Sequence, residues 1–196
     1  MIKICELFCS IQGESSYSGL PCVFVRTSGC NIKCSWCDTA YAREGGEEFT
    51  IQKIVNKVLS FGISLVEITG GEPLLQKEIN PLIDKLVSVG LTVLLETNGT
   101  LPIKDINKNV IRIIDVKLPE SGCHHKFHYN NLHYLRPTDE LKFVVANRKD
   151  YEYMKNFIEE HELEETCNIL VGAVYKQLQP EQLAEWILND RLEVRM

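Results

Sequence analysis

A chain of 196 residues, 44% apolar and 24% charged, fits one domain with a full hydrophobic core and has no apolar run near the roughly 18–20 residues of a membrane span. Its net charge of −6 leaves no excess of Lys and Arg to displace the counterions of a phosphate backbone. These features exclude membrane and nucleic acid as expected partners and favour a small-molecule substrate. Residues 1–196 are read as a single domain. Met1-Ile2-Lys3-Ile4-Cys5-Glu6 lacks a basic segment followed by an apolar stretch and a cleavage site, so the expected address is cytoplasmic.

In chain order, Pro21-Cys22-Val23-Phe24-Val25-Arg26 reads as a buried strand running straight into a cysteine cluster. Ile51, Ile54, Val55, Val58 and Leu59 recur at helical spacing, with Phe61-Gly62 as the stop. Leu65 to Thr69 is a short strand broken by Gly70-Gly71-Glu72-Pro73, a sequence unable to continue regular structure. Ile79, Leu82, Ile83, Leu86 and Val87 mark a second helix that ends at Gly90. Strands follow at Thr92 to Glu96, Ile111 to Val116, Leu141 to Val145 and Asn168 to Val171; helices fit Tyr151 to His161 and, opened by Pro180, Glu181 to Leu188. Strands alternating with helices imply an α/β fold with parallel βαβ units curling into a partial barrel, helices outside. Ligands collect at the strand C-termini of such folds, where loops 27–39, 69–73, 97–99 and 115–121 fall.

Eight cysteines are many for a reducing compartment, where disulfides are rare, so some are expected to serve metal or redox chemistry. Cys5, Cys9, Cys22, Cys123 and Cys167 are scattered and read as small, mostly buried apolar side chains. Cys30, Cys34 and Cys37 are different. Their C-x3-C-x2-C spacing lets one loop wrap three thiolates around an inorganic cluster, and a four-iron cluster with three ligands keeps one iron open for a substrate. The competing reading is structural zinc, which needs a fourth ligand; zinc sites normally show paired spacings, and no partner pair is present.

C-x3-C-x2-C with an aromatic residue, Trp36, before its last cysteine resembles the signature of the radical S-adenosylmethionine superfamily. Gly70-Gly71-Glu72-Pro73 resembles that superfamily's glycine-rich turn, whose backbone approaches the methionine amino group. The resemblance implies a 4Fe-4S cluster on Cys30, Cys34 and Cys37 whose open iron takes the methionyl amine and carboxylate of S-adenosylmethionine. Reductive cleavage then yields a 5′-deoxyadenosyl radical that abstracts hydrogen, so no catalytic acid–base residue is assigned. It also implies an external electron donor such as flavodoxin or ferredoxin.

More of the chain resembles one member family, the 7-carboxy-7-deazaguanine synthases of queuosine and deazapurine biosynthesis. The matching residues are Glu6-Leu7-Phe8, Ile11-Gln12-Gly13-Glu14, Gly19, Pro21, Phe24-Val25-Arg26 and Cys37-Asp38-Thr39. That resemblance implies ring contraction of 6-carboxy-5,6,7,8-tetrahydropterin to 7-carboxy-7-deazaguanine with loss of ammonia, by a homodimer. Ile11, Gln12, Gly13, Glu14, Arg26 and Thr69 match substrate contacts, with Arg26 suited to the carboxylate. Trp36, Cys37, Asp38, Gly71, Asp115, Val116 and Lys117 match cofactor positions, and Thr39 matches a Mg²⁺ ligand. Asp115 and Lys117 also fit a solvated pair at a strand terminus, Thr39 a capping hydroxyl, and Asn98-Gly99 an ordinary turn.

The chain departs from the family in two places. Glu14 is followed by Ser15-Ser16 where the family usually has Gln-Gly-Glu-Gly, and Val194-Arg195-Met196 stands where related chains continue into a tail that closes the substrate site. A truncated chain is one expectation; cover from another subunit or from residues 171–175 is the other. Cys123, His124, His125, His128 and His133 have no regular ligand period and read as a surface or dimer-contact loop rather than a second metal site. The rival functions are a radical S-adenosylmethionine activase that installs a glycyl radical on a partner protein, and a non-enzymatic iron–sulfur or zinc module.

Overall fold

Ile2 and Ile4 are buried and Lys3 is exposed, the period of two that marks a strand covered on one face. In a computed structural model that describes residues 1–196, this stretch is β1, Ile2–Ile11. The remaining strands are β2 (Pro21–Thr27), β3 (Glu47–Phe49), β4 (Leu65–Gly70), β5 (Thr92–Thr97), β6 (Ile111–Asp115), β7 (Glu140–Val145) and β8 (Asn168–Ala173). The helices are α1 (Ile51–Leu59), α2 (Ile79–Ser88), α3 (Arg148–Glu160) and α4 (Pro180–Asp190).

All eight strands join one open sheet in the order β3-β1-β2-β4-β5-β6-β7-β8. The pairs β2/β4, β4/β5 and β7/β8 are parallel, as the α/β reading requires, whereas β1 runs antiparallel to both β2 and β3. Every strand and helix expected from the sequence is present, but the expected regular alternation is not complete. No α-helix links β5 to β6, and three short 3-10 turns at Pro119–Ser121, His124–Lys126 and Tyr129–Tyr134 replace one between β6 and β7. β1 and β3 were not foreseen. No helix is long and apolar enough to cross a membrane.

Contacts group the chain into two compact units: residues 1–32, 37–97 and 105–113, and residues 33–36, 98–104 and 114–196. In the first, α1 starts where the Thr50 hydroxyl accepts from Lys53 N at 3.2 Å, and it buries Ile54, Val55 and Val58. It packs against α2, whose Leu82, Ile83 and Leu86 are fully buried. Cys22, Leu65, Leu94 and Ile113 form an apolar cluster near the strand beginnings, with Tyr17, Phe24, Ile63 and Ile111 against it.

In the second unit, Asn147 Oδ1 accepts from Asp150 N at 3.0 Å to open α3, and the Asp150 carboxylate accepts from Glu120 N at 3.0 Å and Ala146 N at 3.1 Å. Tyr151 donates to Asp190 of α4 at 2.9 Å and its ring lies 5.3 Å from that of Trp186. Arg195 pairs with β8 in parallel, its carbonyl accepting from Val171 N at 2.8 Å.

Candidate active site

Strand register builds a polar row on one face of the first unit. Glu6 on β1 stands opposite Arg26 on β2, and Arg26 opposite Thr69 on β4. Arg26 Nε donates to Glu6 Oε1 at 2.7 Å, Tyr41 donates to the same oxygen at 2.7 Å, and Thr69 Oγ1 donates to Glu96 Oε2 on β5 at 2.8 Å. Burial works against the Glu6 charge, but the bonds from Tyr41 and Arg26 prevail and hold its carboxyl below the usual range.

Two residues back along β4, on the same face, buried Glu67 accepts from Gln12 Nε2. Gln12 Oε1 accepts from Glu14 N at 3.0 Å, so both ends of this amide hold the 12–14 turn in place. Ile11, Gly13 and Glu14 are exposed at the same turn. Ser15, the residue after Glu14, adopts φ +66°, and its hydroxyl accepts from Tyr17 N at 3.0 Å. The face thus changes from apolar at Cys22, Leu65 and Leu94 to polar at the strand C-termini, where parallel α/β sheets bind ligands.

The glycine turn after β4 holds the entry to the cysteine loop. Gly71 N donates to Thr27 O at 3.2 Å and Glu72 N to Gly29 O at 2.8 Å, while a β-carbon on Gly70 would lie 2.3 Å from the Thr27 carbonyl oxygen. Glu72 is fully buried; its Oε1 accepts from Leu74 N at 2.9 Å and Thr97 Oγ1 at 2.8 Å. The amides of Gly71 and Glu72 are therefore committed to the chain, and an ammonium, which only donates, would meet the carbonyl oxygens of this turn.

Cys30, Cys34 and Cys37 are half-buried, and none of the eight cysteines is in a disulfide. No three His, Cys, Asp or Glu side chains are grouped closely enough to hold a metal. The chemistry of the donor set nevertheless suits an iron–sulfur cluster: three reduced thiols lie within eight residues of a loop that has no helix or strand between Ser28 and Thr39. Trp36 is half-buried and Asp38 exposed. Thr39 does not cap the following turn with its hydroxyl, which instead lies 3.8 Å from Cys37 Sγ.

In the second unit, Lys117 Nζ lies 2.6 Å from Asp115 Oδ2. Their side chains are only 22% and 12% exposed, so the solvated-pair reading gives way to a shielded one. Burial disfavours the Lys117 charge, yet Asp115 outweighs it and raises the Lys117 pKa. Asp115 Oδ1 is buried with no hydrogen-bond partner, which fits an acceptor awaiting a ligand hydroxyl or ammonium. Val116 beside it is buried. Burial, together with hydrogen-bonded Cys123, pushes the Cys34 thiol up to about 12, although Lys117 pulls the other way.

Of the scattered cysteines, Cys22, Cys123 and Cys167 are buried as expected, but Cys5 is half-buried and Cys9 exposed, in the half of β1 that loses its burial toward Ile11. Asn98-Gly99 is a turn, Asn98 Oδ1 accepting from Thr100 N at 3.1 Å. Glu67 was missed, though a charge between Val66 and Ile68 in a buried strand was a usable signal.

Residues 24–117 match the family model described as "Radical SAM superfamily". The chain is 46% identical, over 100% of its length and 90% of the relative's, to a 7-carboxy-7-deazaguanine synthase of Chlorobaculum tepidum. It is 40% identical, over 100% of its length and 93% of the relative's, to one of Koribacter versatilis. A crystal structure of QueE from Escherichia coli is similar with a TM-score of 0.81 at 22% identity, covering 99% of this chain and 92% of that one, a likeness of fold.

Proposed function

The chain belongs to the 7-carboxy-7-deazaguanine synthase family of the radical S-adenosylmethionine superfamily, and from that premise we propose how its own residues serve the reaction. It is a carbon–nitrogen lyase that contracts 6-carboxy-5,6,7,8-tetrahydropterin to 7-carboxy-7-deazaguanine with release of ammonia. When bound, a 4Fe-4S cluster and S-adenosylmethionine supply the one-electron chemistry that initiates the rearrangement.

Cys30, Cys34 and Cys37 hold the cluster. Trp36, Cys37, Asp38, Gly71, Asp115, Val116 and Lys117 contact S-adenosylmethionine, with Asp115 Oδ1 as an acceptor already desolvated for it. Thr39 offers Mg²⁺ a hard oxygen from its hydroxyl. Ile11, Gln12, Gly13, Glu14, Arg26 and Thr69 form the pterin site. Glu6 fixes Arg26 through Nε, which leaves the two terminal nitrogens as a fork for the substrate carboxylate. Gln12 acts chiefly by holding the 12–14 turn, whose backbone reads the heterocycle edge.

The observation that carries this assignment is the Glu6, Arg26, Thr69 and Glu96 row, a line of polar side chains on strands otherwise built for a core. We place the reaction in a single domain of a cytoplasmic homodimer that takes electrons from an external donor such as flavodoxin or ferredoxin. Nothing in the site favours the glycyl-radical activase alternative.

The test is anaerobic incubation of the reconstituted, reduced protein with S-adenosylmethionine and the carboxytetrahydropterin. Both 5′-deoxyadenosine and 7-carboxy-7-deazaguanine are expected. Deoxyadenosine alone would retain the superfamily chemistry and reject this substrate.

A further inference from the structure

Cys34 has a role in the proposed reaction, but its contact with Cys123 has none so far. Cys123 is 5% exposed and its side chain is hydrogen-bonded to that of Cys34. Their proximity is built into the backbone on both sides. Ser35 N donates to Ser121 O at 3.1 Å, and the Ser35 hydroxyl lies 3.1 Å from Glu120 O and 3.2 Å from Ser121 O. Cys123 N in turn donates to Ser121 Oγ at 3.1 Å, and that hydroxyl donates to Leu118 O at 2.6 Å. One seryl clamp therefore fixes the chain one residue after Cys34 and two residues before Cys123.

We propose that Cys123 is a positioning residue for the cluster, donating an S–H hydrogen bond to the Cys34 sulfur and thereby raising the cluster's reduction potential. The inference rests on the assignment of Cys30, Cys34 and Cys37 as its ligands. Ligation takes the proton from Cys34, because iron binds the thiolate. Cys123 lies outside the ligand set and meets that sulfur as a thiol, so the contact becomes a bond from Cys123 to Cys34. A donor aimed at a ligating sulfur withdraws electron density from it and stabilises the reduced cluster more than the oxidised one.

The experiment compares wild type with Cys123→Ser, Cys123→Ala and Cys123→Val after anaerobic reconstitution, reading iron per chain and the midpoint potential by paramagnetic-resonance titration. Iron content is expected to match wild type in every variant. The Ala and Val variants, which lack a donor, shift to more negative potentials by similar amounts despite their different volumes, whereas Ser, whose hydroxyl still donates, stays nearer wild type. A purely packing role would instead separate Ala from Val. Unchanged potentials in Ala and Val overturn the proposal, as does iron loss in those variants, which would make Cys123 a ligand. A wild-type protein that takes up no iron would overturn the ligand assignment itself, and the inference with it.

Discussion

A β-carbon added to Gly71 would lie 2.1 Å from the carbonyl oxygen of Gly29 and 3.0 Å from Cβ of Cys30. Real side chains do not approach backbone so closely, so the absence of a side chain at Gly71 is what lets the turn after β4 lie against the start of the cysteine loop. A second consequence concerns the cofactor: the same bare backbone that an amino group would approach is already pressed against the chain on its other side.

Gly71→Ala is expected to push Gly29 and Cys30 out of place. Backbone has to move, so the stability cost should reach about 2 kcal/mol or more, in the range of overpacking and strain. Iron retained after anaerobic reconstitution should fall with it. Gly13→Ala is the control: no atom lies within 4 Å of its added β-carbon, and its melting temperature and iron content should stay at wild-type values.

The Glu6 carboxyl gives a pH prediction whose sign is fixed. Its folded pKa lies below the ordinary value of 4.5, so its contribution is present above that value and lost as the pH falls through the lower folded value. The Glu6 side chain is 38% exposed, and solvent screening keeps this contribution small. Glu6→Gln should therefore flatten the acid limb of a stability–pH profile slightly. It should affect turnover more, raising KM for the carboxypterin as Arg26 loses its orienting partner. Arg26→Ala should reduce turnover while iron per chain stays constant, since it removes a carboxylate partner and no thiolate.

Much of the fold was legible because long apolar periods dominate it: α1, α2 and strands β4 to β8 each carry their own pattern. β1 escaped notice because its second half, Leu7 to Ile11, is half-buried to exposed, so Ile2 and Ile4 alone carry the alternation. β3 is three residues long and owes its state to pairing with Ile2–Ile4, a tertiary influence that local sequence does not carry. The site was legible where chemistry imposes spacing, at Cys30, Cys34 and Cys37. It was illegible where register creates it: the link from Glu6 through Arg26 to Thr69 joins residues 20 and 43 positions apart, and only strand pairing makes them neighbours. The Cys34–Cys123 contact is also long-range, but loop hydrogen bonds from Ser35 to Ser121 make it rather than strand pairing.

Asp150 joins three pieces of chain, accepting from Glu120 N and Ala146 N while its own amide donates to Asn147. Asp150→Ala leaves two shielded donors without acceptors, an expected cost of about 2–6 kcal/mol at about 1–3 kcal/mol for each. Asp150→Asn keeps one acceptor oxygen and should cost about half as much. Urea midpoints at constant slope would show the ordering; equal loss in both variants would contradict it.

Ser15 separates strain from hydrogen bonding at the pterin turn. At φ +66° a residue with a β-carbon costs roughly 1 kcal/mol relative to glycine, while the bond its hydroxyl accepts from Tyr17 N returns about 0.5–1.5 kcal/mol. The two effects oppose each other, so Ser15→Gly relieves the first, loses the second and should be nearly neutral in thermal stability. Ser15→Ala keeps the strain, loses the bond and should destabilise by about 1 kcal/mol. If glycine proves as damaging as alanine, the hydroxyl alone sets the turn and the backbone angle carries no penalty; if alanine is neutral, the bond to Tyr17 contributes nothing and the turn is held by the clamp that Gln12 makes with Glu67 and Glu14.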